Sequence, residues 1–262
     1  MLQDKKLFLF DIDGTLAVGD TLLDGTRDLL DYIGRIGGRA LYITNNSTKS
    51  RRDYVEKFAR WNLFAAEEDF VTASYAACLD MKRRYGDQKL FVVGTRSFVR
   101  ELRDFGLNVT ESVEPDVRCV LVGYDSELTY QKTVNACELL RREDVAFDAT
   151  NPDLCCPAPF GFVPDCGAIC KMICCAAGRE PRFIGKPDAS IVALCLELAG
   201  FGPEQTVVVG DRLYTDIACG INGGVDTALV FTGEAQPADL ADTPYKPTWQ
   251  FENVREMVRQ LT

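Results

Sequence analysis

The stretch that decides the fold is Leu7-Phe8-Leu9-Phe10-Asp11-Ile12-Asp13-Gly14-Thr15-Leu16. Its first four residues are apolar without interruption, the pattern of a strand covered on both faces in a parallel sheet. Two carboxylates follow at once, and Gly14 opens a turn behind them. Ligands in open α/β sheets bind beyond the carboxyl ends of the strands. Asp11 and Asp13 are therefore candidate functional residues from position alone. The competing reading is an ordinary Asx turn, which Asp-x-Asp-Gly also suits.

Outward from that stretch, strands and helices alternate. Thr26 to Ile36 reads as a helix with Leu29, Ile33 and Ile36 on one face and Gly37-Gly38 ending it. Ala40 to Ile43 reads as the next strand, Tyr54 to Trp61 as a helix, and Phe70 to Thr72 as a short strand. The rhythm restarts with strands at Leu90 to Val93, Val120 to Val122 and Ala146 to Ala149, and helices around Ser97 to Phe105 and Tyr130 to Arg142. A last series places strands at Arg182 to Ile184, Thr206 to Val209 and Ala228 to Phe231, with helices at Ala189 to Leu198 and near the C-terminus. Such alternation predicts an α/β fold.

Composition narrows the chemistry. The chain of 262 residues is 47% hydrophobic and 26% charged, enough apolar content for a sizeable core without disulfides or structural metal. A formal net charge of −10 argues against duplex nucleic acid as a partner, since that binding rests on Lys and Arg neutralising phosphates. A small anionic substrate stays open, because one cation and a few donors reverse the field locally. Histidine is absent, which removes every mechanism built on imidazole. The 11 cysteines are odd in number and show no CxxC spacing, so neither a disulfide framework nor a zinc site is expected. Cys166, Cys170 and Cys174 recur at helical spacing and read as small buried hydrophobes. The apolar run before Asp11 is too short for a signal peptide, and no stretch approaches the roughly 20 apolar residues of a membrane helix. The expectation is a soluble, cytoplasmic protein without a membrane partner.

Three more strand ends carry polar groups. Val207-Val208-Val209-Gly210-Asp211 ends a buried run on a carboxylate, and Asp216 falls in the first turn beyond it. Leu41-Tyr42-Ile43-Thr44-Asn45-Asn46-Ser47 ends another run on a hydroxyl and amides that lead into a helix, a natural anion site. Ile184-Gly185-Lys186-Pro187 offers an ammonium. A carboxylate such as Asp11 can attack phosphorus, and one two residues on can give and then take a proton. Paired acids and a dianionic ester need a cation, and magnesium suits an all-oxygen site. Each piece alone has a plainer reading: a turn, a helix cap, a solvated helix start. Their conjunction at four strand ends favours phosphoryl transfer, which is mostly positioning and charge stabilisation.

Other motifs fail on inspection. A calcium loop starting at Asp11 would need Gly where Leu16 stands and Glu where Leu22 stands. Gly185-Lys186 lacks the flanking residues of a P-loop. Cys78 and Arg84 have the spacing of a cysteine phosphatase, but no Gly between them could form a phosphate cradle.

These residues resemble the haloacid-dehalogenase (HAD) superfamily, whose motifs match Asp11-Ile-Asp13-Gly-Thr-Leu, Thr44-Asn-Asn, Lys186 and Gly210-Asp211…Asp216 in order. More narrowly, Ile43-Thr-Asn-Asn-Ser, Ala149-Thr-Asn-Pro-Asp, Gly185-Lys-Pro and Gly210-Asp-Arg-Leu-Tyr-Thr-Asp-Ile resemble its NagD-like, 4-nitrophenylphosphatase-type branch. The resemblance implies a Rossmann-like parallel-sheet core, residues 1–76 and 182–262, with an inserted α/β cap of the C2 type, residues 77–181. It implies Asp11 as nucleophile and magnesium ligand, and Asp13 as acid/base that binds the ion through its carbonyl. Asp211 would be the other direct ligand, Asp216 would order metal-bound water or Lys186, and Thr44, Asn45 and Lys186 would hold phosphoryl oxygens.

For specificity the candidates are Asn151 and Asp153 in Thr150-Asn-Pro-Asp, and Asp165 in Val163-Pro-Asp-Cys-Gly-Ala. Relatives usually carry a Gly-rich stretch after that proline, whereas this chain has Asp165-Cys166. The implied activity is Mg²⁺-dependent hydrolysis of small phosphorylated metabolites: sugar phosphates, nucleoside monophosphates or 4-nitrophenyl phosphate. A phosphomutase or phosphotransferase, and a phosphoaspartate signalling module like a receiver domain, stay open as alternatives. Relatives often dimerise through the cap, so a homodimer is an expectation as well.

Overall fold

A computed structural model describes residues 1–158 and 160–261. The chain divides into two compact units, one made of Met1–Thr44, Val55–Val71 and Lys186–Thr262, the other of Asn45–Tyr54 and Thr72–Gly185.

The first unit is built on a six-stranded sheet in the order Trp249–Phe251, Asp226–Val230, Thr206–Gly210, Leu7–Phe10, Arg39–Thr44, Phe70–Thr72. Leu7–Phe10 is central and pairs in parallel with Thr206–Gly210 on one side and Arg39–Thr44 on the other. Its four side chains are fully buried, as the unbroken apolar run predicts. Burying a Leu or Phe side chain of this kind contributes about 1.5–3 kcal/mol. The two neighbours come from opposite ends of the chain, so the direction of winding reverses at Leu7–Phe10. In open α/β sheets such a reversal is where ligands bind, beyond the carboxyl ends of the strands.

On the Arg39–Thr44 side an aromatic cluster anchors the helix Arg51–Arg60. Phe58 lies 4.5 Å from Tyr42, 5.0 Å edge-on from Phe70 and 5.3 Å from Trp61, centroid to centroid. Each such pair adds about 0.5–1.5 kcal/mol beyond its area.

The second unit has its own five-stranded parallel sheet, in the order Arg182–Phe183, Ala146–Ala149, Val117–Val122, Lys89–Val93, Val109–Thr110. Its core includes Phe91, Val120, Leu139 and Phe147, together with Cys166, Cys170 and Ile173 from the helix Cys166–Ala177. Cys174 packs half-buried against the same cluster. The α/β class and its helical cysteine face agree with the sequence reading.

Several small elements escape that reading. Ala17–Val18 and Thr21–Leu22 form a hairpin around Gly19, and Cys155–Ala158 pairs antiparallel with Gly161–Pro164. Runs this short carry almost no periodicity, although Gly19-Asp20 is a recognisable turn signal. Among the described residues no helix is long and apolar enough to cross a membrane.

Candidate active site

Parallel pairing fixes where the acids stand. Asp11 follows the central strand directly, and its N–H continues the ladder by donating to the Val209 carbonyl at 2.9 Å. Asp211 follows the neighbouring strand Thr206–Gly210. Asp216 lies in a π-helical turn, Leu213–Ile217, that carries the chain back from that strand end. Single π-turns of this sort are frequent at functional sites. Carboxylate oxygens of Asp11, Asp211 and Asp216 all lie within 4.8 Å of one another, and all three residues are buried.

Lys186 closes the group. Its ammonium donates to Asp11 Oδ1 at 2.7 Å, to Asp216 Oδ1 at 2.6 Å and to the Ile43 carbonyl at 3.2 Å. Further donors are Glu234 N–H to Asp211 Oδ2 at 2.7 Å, Arg212 N–H to Asp216 Oδ2 at 3.1 Å and the Thr15 hydroxyl to Asp211 Oδ1 at 3.4 Å. Glycine makes the close approach feasible. A Cβ on Gly14, whose φ is +97°, would stand 2.7 Å from Asp211 Oδ2, and one on Gly233 would stand 1.9 Å from it.

The electrostatics follow from crowding acids where water is scarce. Burial lifts the Asp11 carboxyl most; Lys186 opposes that, Asp216 and Asp211 add to it, and the result is well above the usual carboxylate range. Asp211 is pushed up to about 6, first by burial and then by Asp216, despite the Glu234 N–H. Burial alone would pull the Lys186 ammonium down, but Asp11 and Asp216 outweigh it and hold it above its ordinary value.

The other expected residues are placed as follows. Thr44 ends its strand in the first unit and is buried. The Asp13 side chain stands outside the carboxylate cluster, and its Oδ1 is 3.1 Å from Lys57 Nζ. Asn45 belongs to the second unit, where its Nδ2 donates to Asp153 Oδ2 at 2.9 Å. Asn151 Nδ2 donates to both Asp153 and Asp165, at 3.2 and 3.1 Å, so Asn45 and the three expected specificity residues share one buried network. Lys57 is the residue that sequence reasoning passes over. Nothing in a charged stretch such as Glu56-Lys57 marks one lysine as buried.

The donor set suits a divalent cation. Among the described residues the Lys186 ammonium bonds two of the three buried carboxylates, and Asp11 and Asp211 have raised affinity for protons, as acids do when counter-charge is short. All donors are oxygens, the preference of a hard ion.

Comparison with known proteins agrees with the geometry. A haloacid dehalogenase-like hydrolase family matches residues 8–108, and a HAD-hydrolase-like family matches residues 183–257. An acid sugar phosphatase of Staphylococcus aureus (strain MRSA252) is 33% identical over 99% of this chain and 99% of its own. The structure of a 4-nitrophenylphosphatase from Thermotoga maritima superposes with a TM-score of 0.94 at 34% identity, covering 100% of this chain and 99% of its own. NagD from E. coli K-12 gives 0.85 at 30% identity, over 96% of this chain and 98% of its own.

Proposed function

Since the chain belongs to the haloacid dehalogenase-like hydrolases, in their NagD/4-nitrophenylphosphatase branch, and is a phosphatase of small phosphate esters, we propose that Asp11 attacks phosphorus and Asp13 moves the protons. The substrates in this reading are sugar phosphates and related phosphorylated metabolites. The observation that carries it is the bridge from Lys186 to Asp11 and Asp216, which holds a buried carboxylate at the central strand end.

Asp11, Asp211 and the backbone carbonyl of Asp13 would hold Mg²⁺, with Asp216 steadying Lys186. When bound, the ion supplies positive charge that lets an anionic ester approach the acids. In the first step a carboxylate oxygen of Asp11 forms a bond to phosphorus as the bond to the leaving oxygen breaks. The Asp13 carboxyl gives its proton to that oxygen. In the second step a water loses a proton to the Asp13 carboxylate and attacks phosphorus, releasing phosphate and restoring Asp11. Lys186 and Thr44 would hold phosphoryl oxygens. Donors fixed in advance cost no reorganisation at the moment of reaction.

The test is acid-quench mass spectrometry during turnover of 4-nitrophenyl phosphate. The expected result is one phosphoryl group on the peptide carrying Asp11, absent in Asp11→Asn. Full activity in Asp11→Asn, or persistence of activity after EDTA treatment, would overturn the assignment.

A further inference from the structure

The pairing of Lys57 with Asp13 sets a buried ammonium against a partly solvated carboxylate. The Lys57 side chain is 5% exposed, whereas that of Asp13 is 33% exposed. Withdrawing an ammonium from water costs several kcal/mol, and a half-solvated partner returns little of it. An apolar residue in the same helical position would pack without that cost. We propose that Lys57 is a positioning residue that holds the Asp13 carboxylate in line for proton transfer. The proposal rests on the acid/base reading of Asp13 given above.

The lysine is itself fixed. Its ammonium lies 5.0 Å from the centre of the Trp61 ring, and Trp61 is pinned by Nε1 donating to the Asp20 carbonyl at 2.7 Å. Phe58, next along the helix, is locked between Tyr42 and Phe70. Lys57 therefore reaches Asp13 from a rigid helix face. Only Asp13 Oδ1 is engaged; Oδ2 accepts no hydrogen bond among the described residues. One oxygen is held and the other is left for the proton, which is what a group acting first as acid and then as base requires. The Asp13 backbone is fixed separately, by the Gly14 N–H donating to the Ala17 carbonyl at 2.8 Å.

The experiment compares Lys57→Met, Asp13→Asn and the double variant, each checked for folding by circular dichroism, on 4-nitrophenyl phosphate and on a hexose phosphate. A nitrophenolate leaves without a proton, so misplacing Asp13 slows mainly the second step. Lys57→Met should then show a stopped-flow burst of about one nitrophenolate per enzyme, with kcat down roughly 10-fold to 10²-fold and KM within about twofold. The hexose phosphate, which needs a proton on its leaving oxygen, should lose its single-turnover rate by about 10-fold more than the aryl ester. In the Asp13→Asn background Lys57→Met should cost less than about twofold, because both changes act through one group.

Equal losses on both esters without a burst, or fully additive losses in the double variant, would overturn the proposal. If Asp13→Asn itself shows neither a burst nor a leaving-group preference, the acid/base assignment of Asp13 is what fails. Should Lys57→Met not fold, Lys57→Gln, which keeps a polar tip, is read by the same criteria.

Discussion

The Lys186 ammonium is shared by two carboxylates, 2.7 Å from Asp11 Oδ1 and 2.6 Å from Asp216 Oδ1. Its removal leaves Asp11 and Asp216 without that ammonium, in a cluster of three buried acids. Lys186→Met is therefore expected to lower stability by about 3–5 kcal/mol in EDTA, the usual result of breaking a buried charge cluster from one side. Added Mg²⁺ should recover part of this loss. Turnover should fall about 10²-fold to 10³-fold even with Mg²⁺ present, because a preorganised donor is gone. Thermal melts with and without Mg²⁺, beside kcat, check both halves. An unchanged melting temperature in EDTA would contradict the ion-pair account.

Asp211 gives the metal-free protein a pH dependence of defined sign. Its folded value of about 6 lies above the ordinary 3.8, so the folded state holds a proton that the unfolded state has released. The contribution is fully present below about pH 4 and is lost as pH rises through 6, by about 3 kcal/mol. Asp211→Asn cannot ionise and should lack this slope. The stability difference between wild type and Asp211→Asn, measured by urea denaturation in EDTA, should fall from pH 4 to 6 and level off above. A flat difference would refute the shift.

How much of this was readable beforehand depends on the range over which each feature acts. Asp11 and Asp211 each end an uninterrupted apolar run, so their place at strand ends could be read from neighbours in sequence. Cys166 and Cys170 were legible for the same reason, through a helical period. Lys57 was not, because its burial comes from Trp61 and the Tyr42–Phe58 stack, and its partner lies 44 residues away. The Asn45–Asp153 hydrogen bond spans 108 residues and leaves no trace in local pattern. Pattern reading finds positions that periodicity buries; it does not find polar groups that tertiary contacts bury.

Gly14 is constrained twice, by φ of +97° and by the 2.7 Å separation its Cβ would have from Asp211 Oδ2. Gly14→Ala should cost about 1–3 kcal/mol of stability from backbone strain. It should also displace Asp211, so the Mg²⁺ concentration giving half-maximal activity should rise while KM for ester at saturating Mg²⁺ changes less. A magnesium titration of kcat reads this directly. An unaltered midpoint would mean that the turn relaxes away from the acid.

Asp165 begins the helix Cys166–Ala177 and its side chain accepts the Cys166 N–H at 2.5 Å while also accepting from Asn151 at 3.1 Å. On the reading that Asp165 bears on substrate choice, a side chain spent in this way would act through the position of its loop. Asp165→Ala removes an N-cap and leaves an Asn151 amide short of an acceptor, for a loss of about 1–3 kcal/mol. Asp165→Asn keeps an oxygen for the cap and should retain most of the stability. The ranking of phosphate esters by kcat/KM should accordingly move in Asp165→Ala and hold in Asp165→Asn. A ranking altered by Asp165→Asn at full stability would instead place the Asp165 charge in contact with the substrate.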